Sequence, residues 1–229
     1  MVLGIPARGS TREVALDTLR QSPPAVSIVG HTWILAASPA CGVIRRPATG
    51  SGDNSRVSKP KEPSVSIRRA TPDDAAGIAS VMATVVAERV HSAVDRAWNA
   101  DEERCFVEQL SPREVIHVAV DGEQGVVGLQ ILDRWSPILG SMAHVGQVGT
   151  FVLPAWRGCG IGHDLWDVTS VFARSVGYGK LVIQVRGSNV AAQAFYRDLG
   201  FVVCGRLTRQ VVIDGVEDDE VLMERFIRD

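Results

Sequence analysis

Residues 151–166 read FVLPAWRGCGIGHDLW. An apolar run stops at Pro154, which cannot donate to a β ladder, then passes Arg157 and three glycines at alternate positions. Ile161, Leu165, Val168, Phe172 and Val176 follow at steps of three and four, an amphipathic helix that Gly177 can end. A strand therefore turns sharply into a helix. The unsatisfied amides and partial positive charge of a helix N-terminus suit an anion, and glycines let the backbone approach it without a Cβ in the way. The stretch reads either as a tight turn or as a cradle for phosphate oxygens, with Gly158, Gly160 and Gly162 supplying amides and Arg157 a permanent charge.

Two nucleotide-binding patterns fail on it. A P-loop needs Gly-Lys-Ser/Thr, but Gly162 is followed by His163 and Asp164, and an aspartate there repels phosphate. The dinucleotide fingerprint GxGxxG, counted from Gly158, requires its third glycine at position 163, which is histidine.

Upstream, VSIRR alternates as a short strand, and TPDD opens a helix with Thr71 as N-cap, Pro72 in the first position and Asp74 as capping carboxylate. Ile78, Val81, Met82, Val85 and Arg89 keep helical spacing, and Asn99 starts a second helix. EVIHVAV, a turn at Asp121-Gly122 and GVVGLQIL form a hairpin, and HVGQVGTFV runs into the glycine stretch. Downstream come a strand (KLVIQV), a helix (NVAAQAFYRDLG) and a closing hairpin turning at Asp214-Gly215. The order is β-α-α-β-β-β-α-β-α-β-β, without internal repeats.

Arg157 to Gly162 match R-x-x-G-x-G, and residues 189–201 match N-x-x-A-x-x-F-Y-x-x-x-G-F at the expected separation. With the element order, residues 65–229 resemble the GCN5-related N-acetyltransferases (GNAT). The resemblance implies an α+β fold of mixed α/β character, with a central, mostly antiparallel sheet of six or seven strands, a splayed strand pair and flanking helices. It implies that Arg157, Gly158, Cys159, Gly160, Ile161 and Gly162 hold the pyrophosphate of acetyl-CoA. Pantetheine would dock on a bulged strand at Phe151, Val152 and Leu153. Asn189 would bond the pantetheine arm or cap its helix. Tyr196 would be the general acid beside the sulfur, since an ordinary tyrosine is protonated at neutral pH. The implied reaction is direct attack of an amine on acetyl-CoA, with no metal. The proton acceptor stays open among His144, Glu88, His91 and water, because HVGQVGTFV lacks the glutamate that many relatives carry there. The other reading is a non-catalytic acetyl-CoA sensor on the same fold.

Composition and charge fit a folded, soluble protein handling small or modest partners. Of its 229 residues 45% are apolar and 22% charged, enough for a packed core, and a net charge of −2 provides no field for nucleic acid. Cys41, Cys105, Cys159 and Cys204 form no metal-ligand or disulfide pattern and fit scattered buried thiols in a reducing, cytoplasmic setting. Residues 1–62 read as a leader and a flexible Pro/Gly/Ser linker. The apolar run at 25–44 is interrupted by Gly30, His31, Ser38, Pro39 and Gly42 and is not expected to anchor a membrane. The expected partner is a small-molecule or amino-acid-like amine, and a homodimer is compatible. The acidic run at 217–220 is expected to be a solvated hairpin loop.

Overall fold

Alternation in VSIRR produces β1 (Ser66–Arg69), the first strand of a computed structural model that describes residues 65–228. The leader and linker expected over residues 1–62 lie outside the described residues. After β1, the amide and hydroxyl of Thr71 both donate to Asp74 Oδ2, at 2.8 and 3.1 Å, and Arg68 pairs with the same carboxylate at 2.7 Å. Chiefly through the Arg68 bond, the Asp74 carboxyl is lowered to about 2. This fixes the start of α1 (Ala75–Ala87), which buries Ile78, Val81, Met82 and Val85. The helical spacing does not carry on to Arg89, which adopts a left-handed φ of 59°. α2 (Ala100–Gln109) starts where Asn99 Oδ1 accepts the amides of Asp101 and Glu102.

The first hairpin joins β2 (Val115–Asp121) to β3 (Gly125–Arg134), and Asp121 Oδ1 closes its turn by accepting the amides of Glu123 and Gln124. Then come β4 (Val145–Val152), α3 (Ile161–Ser175), β5 (Lys180–Arg186), α4 (Val190–Asp198), β6 (Val202–Ile213) and β7 (Val216–Phe226). The last turn places Asp214 and Gly215 at φ 52° and 79°, as a two-residue hairpin loop requires.

The sheet has seven strands in the order β1-β2-β3-β4-β5-β7-β6, all neighbours antiparallel except β4 and β5. One face packs under α1 and α2 through Ile116, Val118, Leu129 and Phe151; the other packs under α3 and α4 through Val148, Val152, Leu165 and Tyr196. This is the mixed, mostly antiparallel fold that the resemblance implied.

β4 and β5 pair only between Val145–Gln147 and Lys180–Val182, although β4 continues to Val152 and β5 to Arg186. Beyond those three pairs the strands part. The expected bulge in β4 is absent: its register against β3 runs without a shift from Gly128↔Val152 to Arg134↔Gly146. The cleft is therefore opened by divergence from β5 alone.

Two further expectations need correcting. Glu217–Glu220 is not a solvated loop but part of β7, where Glu220 is almost fully buried and Asp218 pairs with Arg186 at 2.9 Å. Strand pairing carries this acidic run into the sheet. Nor are the described thiols buried: Cys105, Cys159 and Cys204 are all exposed, and Cys41 lies outside the described residues.

Candidate functional site

The glycine loop and α3 meet at a backbone that only glycine adopts readily. Gly158 and Gly160 have φ of 72° and 87°, and a Cβ on either would meet nothing within 4 Å. No protein packing therefore demands their smallness; the backbone conformation does, and the space beside them is left open. Gly160 is the N-cap of α3, its carbonyl accepting the amides of His163 and Asp164 at 2.9 and 3.1 Å. The first amides of α3 point toward a cavity of about 370 Å³ lined by Val152, Arg157, Gly158, Gly160, Ile161 and Gly162 on one side. Ala191, Ala192 and Phe195 of α4 line the other, and Trp156 and His163 also border it. These α4 residues were missed as wall residues, although Ala192 and Phe195 belong to the quoted motif. Their small or flat side chains were the available signal.

Cys159 belongs to the same loop but does not line the cavity; its thiol lies 3.6 Å from the Arg157 carbonyl. Arg157 differs from expectation in its side chain. Its guanidinium is buried. Nη1 and Nη2 donate to the two oxygens of Glu88 at 2.9 and 2.5 Å, and Nε to the Val152 carbonyl at 2.9 Å. These bonds use three of its five N–H groups, and Arg157 also borders the cavity.

The strand residues also separate by role. The Leu153 amide donates to Val127 of β3, and the amide of Trp135, just past β3, donates to the Val145 carbonyl. By the two-residue alternation of an antiparallel ladder, Phe151 likewise turns its backbone groups to β3. Thr150 and Val152 are the residues whose backbone groups point toward the splayed side. Of the three expected docking positions, only Val152 faces the cleft, and its carbonyl holds Arg157.

Thr150 carries no mark in the sequence, yet on β4, two residues before Val152 of the cavity wall, it joins β3 to α4. Its Oγ1 accepts from Tyr196 Oη at 3.1 Å and from Gln130 Nε2 at 2.8 Å. Tyr196 is fully buried, its ring edge-on to Phe195 and Phe201. Burial pushes its hydroxyl well above the ordinary tyrosine range, with bonds from Thr150 acting the other way. The group is thus protonated throughout the physiological range. Tyr196 is thus a packing residue whose hydroxyl is bonded inside the core, one residue from Phe195 of the cavity wall.

Asn189 caps α4, accepting the Ala192 amide at 3.0 Å, and its Nδ2 donates to the His91 carbonyl at 3.1 Å. The open groups for proton acceptance are spread apart. His144 is at the start of β4, its carbonyl accepting the amides of Gly179 and Lys180. The eight residues of β4 place it about 25 Å from the glycine loop at ~3.3 Å per residue. Glu88 is held by Arg157. His91 lies beside the pair, Nε2 4.0 Å from Glu88 Oε1, and burial lowers its pKa; Arg157 and Arg186 lower it further while Glu88 opposes them. A carboxylate absent from β4 arrives instead from β7: Glu220 accepts from Gln184 at 2.8 Å, and Gln184 accepts from Gln147 of β4 at 3.3 Å. Among the described residues, no three His, Cys, Asp or Glu side chains come together as a metal-ligand set. Nor is any helix there long and apolar enough to cross a membrane.

Comparison with known proteins adds family and fold. Residues 84–201 match the model of the acetyltransferase (GNAT) family. The chain matches none of the curated proteins with which it was compared. Among solved structures, a GNAT superfamily phosphinothricin acetyltransferase from Sinorhizobium meliloti, in complex with acetyl-CoA, superposes with a TM-score of 0.67 at 19% identity, over 72% of this chain and 89% of that one. A ribosomal-protein-alanine N-acetyltransferase from Brucella melitensis gives 0.65 at 23%, over 70% and 98%. A GCN5-related N-acetyltransferase from Kribbella flavida gives 0.63 at 24%, over 71% and 97%.

Proposed function

Because the chain belongs to the acetyltransferase (GNAT) family, we propose that it moves an acetyl group from acetyl-CoA to the primary amine of a small or amino-acid-like acceptor by direct attack. The observation that carries this reading is the cavity between the glycine loop and α4, opening where β4 and β5 part. Its chemistry fits a pyrophosphate: two left-handed glycines with open space beside them, and the first amides of a long helix. Bound there, acetyl-CoA supplies an activated thioester. Gly158, Gly160, Ile161 and Gly162 hold phosphate through their amides, with Arg157 and Cys159 contributing backbone. Val152, flanked by Phe151 and Leu153, orients the pantetheine arm along the splayed edge. Asn189 acts by capping α4.

Tyr196 is the group that returns a proton to the leaving thiolate. Its hydroxyl donates to Thr150 Oγ1 beside the cavity, and the transfer requires that proton to turn from Thr150 to the sulfur. His91 is the group that takes the proton from the acceptor, directly or through water. Burial lowers its pKa and it lies beside Glu88, the partner of Arg157 in the cavity wall, whereas His144 is at the other end of β4.

The acceptor is proposed on motif similarity, not on fold. One structural neighbour is a phosphinothricin acetyltransferase and another a ribosomal-protein-alanine acetyltransferase, so the shared architecture serves both small molecules and proteins. We further propose a cytoplasmic enzyme in which residues 65–229 are the catalytic domain and 1–62 a leader and linker. A homodimer contact would form at β6, the outer strand, where Val202, Val203 and Val212 are exposed.

The test is calorimetric titration of the full chain with acetyl-CoA, followed by thiol release over a panel of small amines and amino-acid analogues. Saturable binding with turnover on at least one amine is expected. Binding without turnover across the panel, and across peptide amines, would establish the sensor instead.

A further inference from the structure

The short segment 88–91, leaving α1 on its way to α2, is tied to other elements at four points. Glu88 takes both terminal nitrogens of Arg157, from the start of the glycine loop. The Arg89 carbonyl accepts from Arg186 Nη1, at the end of β5, at 2.8 Å. The Arg89 guanidinium pairs with Asp214, in the β6–β7 turn, at 2.6 Å. The His91 carbonyl accepts from Asn189 Nδ2, at the head of α4. The left-handed Arg89 makes this possible, because it turns the chain so that neighbouring residues address different elements.

These ties differ in strength. The Arg89–Asp214 pair is exposed on both sides and is screened by water. Arg157 is buried, its pairing with Glu88 is bidentate, and its third bond goes to the last residue of β4. That pairing dominates.

We propose that Arg157 and Asn189 are positioning residues for the acceptor side of the cleft: they hold residues 88–91 across the C-terminal ends of β4 and β5. The inference rests on reading the glycine loop as the acetyl-CoA site. Arg157 immediately precedes Gly158, and Asn189 caps the helix whose Ala191, Ala192 and Phe195 line the same cavity. Both struts therefore start from elements that line this cavity and end on residues 88–91, which on this proposal form the acceptor wall. Binding of acetyl-CoA stiffens their roots and so orders the wall, and by linkage an ordered wall favours the cofactor.

Hydrogen exchange with mass spectrometry on the full chain, with and without coenzyme A, reads this directly. In the wild type, coenzyme A is expected to slow exchange in residues 88–99. Glu88→Gln is expected to speed it about tenfold in the unliganded protein, by loss of one charge-assisted bond. Its coenzyme A affinity should stay within about threefold of wild type, a small difference on the affinity scale. With any amine that turns over, acceptor KM should rise more than kcat falls, a split that general destabilisation does not produce. Asn189→Ser provides an independent check, since serine keeps the helix cap but loses the bond to His91. It should loosen residues 88–99 while α4 stays protected.

Wild-type exchange rates in residues 88–99 of both variants would overturn the proposal. So would an equal loss of coenzyme A affinity and acceptor KM in Glu88→Gln. Failure of the wild type to bind coenzyme A is a different result: it defeats the cofactor reading and the coupling, while unliganded exchange still reports whether the struts hold.

Discussion

Replacing Gly160 by alanine separates the backbone demand of the glycine loop from its ligand demand, given the right control. Gly160 has φ +87°, and Gly125, the first residue of β3, has φ +75°; a Cβ on either meets nothing within 4 Å. Both substitutions therefore carry the same kind of left-handed strain, roughly 1–2 kcal/mol for an L side chain, and no clash. For a domain of this size that corresponds to a fall in Tm of roughly 2–8 °C. Only Gly160 borders the 370 Å³ cavity. A methyl group there displaces the anion from at least one amide, and a charge-assisted bond of about 1.5–3 kcal/mol converts to roughly a 10- to 100-fold weaker Kd for acetyl-CoA. Thermal unfolding and calorimetric titration of the two variants in parallel give both quantities. Equal melting losses with a Kd change confined to Gly160→Ala is the expected pattern. If Gly160→Ala binds acetyl-CoA as tightly as Gly125→Ala, the cradle is not where the anion sits.

Tyr196→Phe removes the hydroxyl that reaches Thr150 but keeps the ring in the core. Turnover should drop at least tenfold, as for loss of a general acid, with acetyl-CoA Kd nearly unchanged; a wild-type rate rules out the acid role. His117 is buried against Thr169 with its pKa lowered to about 4, by burial first and Arg69 second. Its depressed folded value means the unfolded chain binds the extra proton first, so stability is full above pH ~6.5 and falls as pH drops toward 4, by on the order of 2 kcal/mol. Urea midpoints at pH 7 and 4.5 should show the slope in wild type and a smaller one in His117→Gln. Glu103 on α2 has the opposite sign: burial raises its carboxyl to about 7. The folded state keeps its proton longer than the unfolded one, so stability is present below pH ~4.5 and lost as pH rises through 7, by at most about 3 kcal/mol. Glu103→Gln should therefore stabilise the protein at pH 8 and matter least at pH 5; the reverse order would contradict the assignment.

The sequence by itself determined the features whose physics is local. Glycine's freedom at positive φ located the loop, 3.6-residue spacing located α3, caps at Thr71 and Asn99 located helix starts, and Asp214-Gly215 located the last turn. Each rests on residues a few positions apart, so each is written in a short window. Tertiary structure decided what pairs with what. Arg157 has the charge of a phosphate ligand, but its guanidinium pairs with Glu88, which stands 69 residues away. Thr150 has no local mark at all, and becomes central only because Tyr196, 46 residues on, reaches it. Asn189 reads as a cap from its neighbours and as a strut only from His91, 98 residues back. The acidic run at 217–220 reads as solvated until strand pairing brings Arg186 and Gln184 beside it. A side chain's type limits the bonds it can make, but which bond it makes depends on groups that only the folded sheet brings within 3 Å.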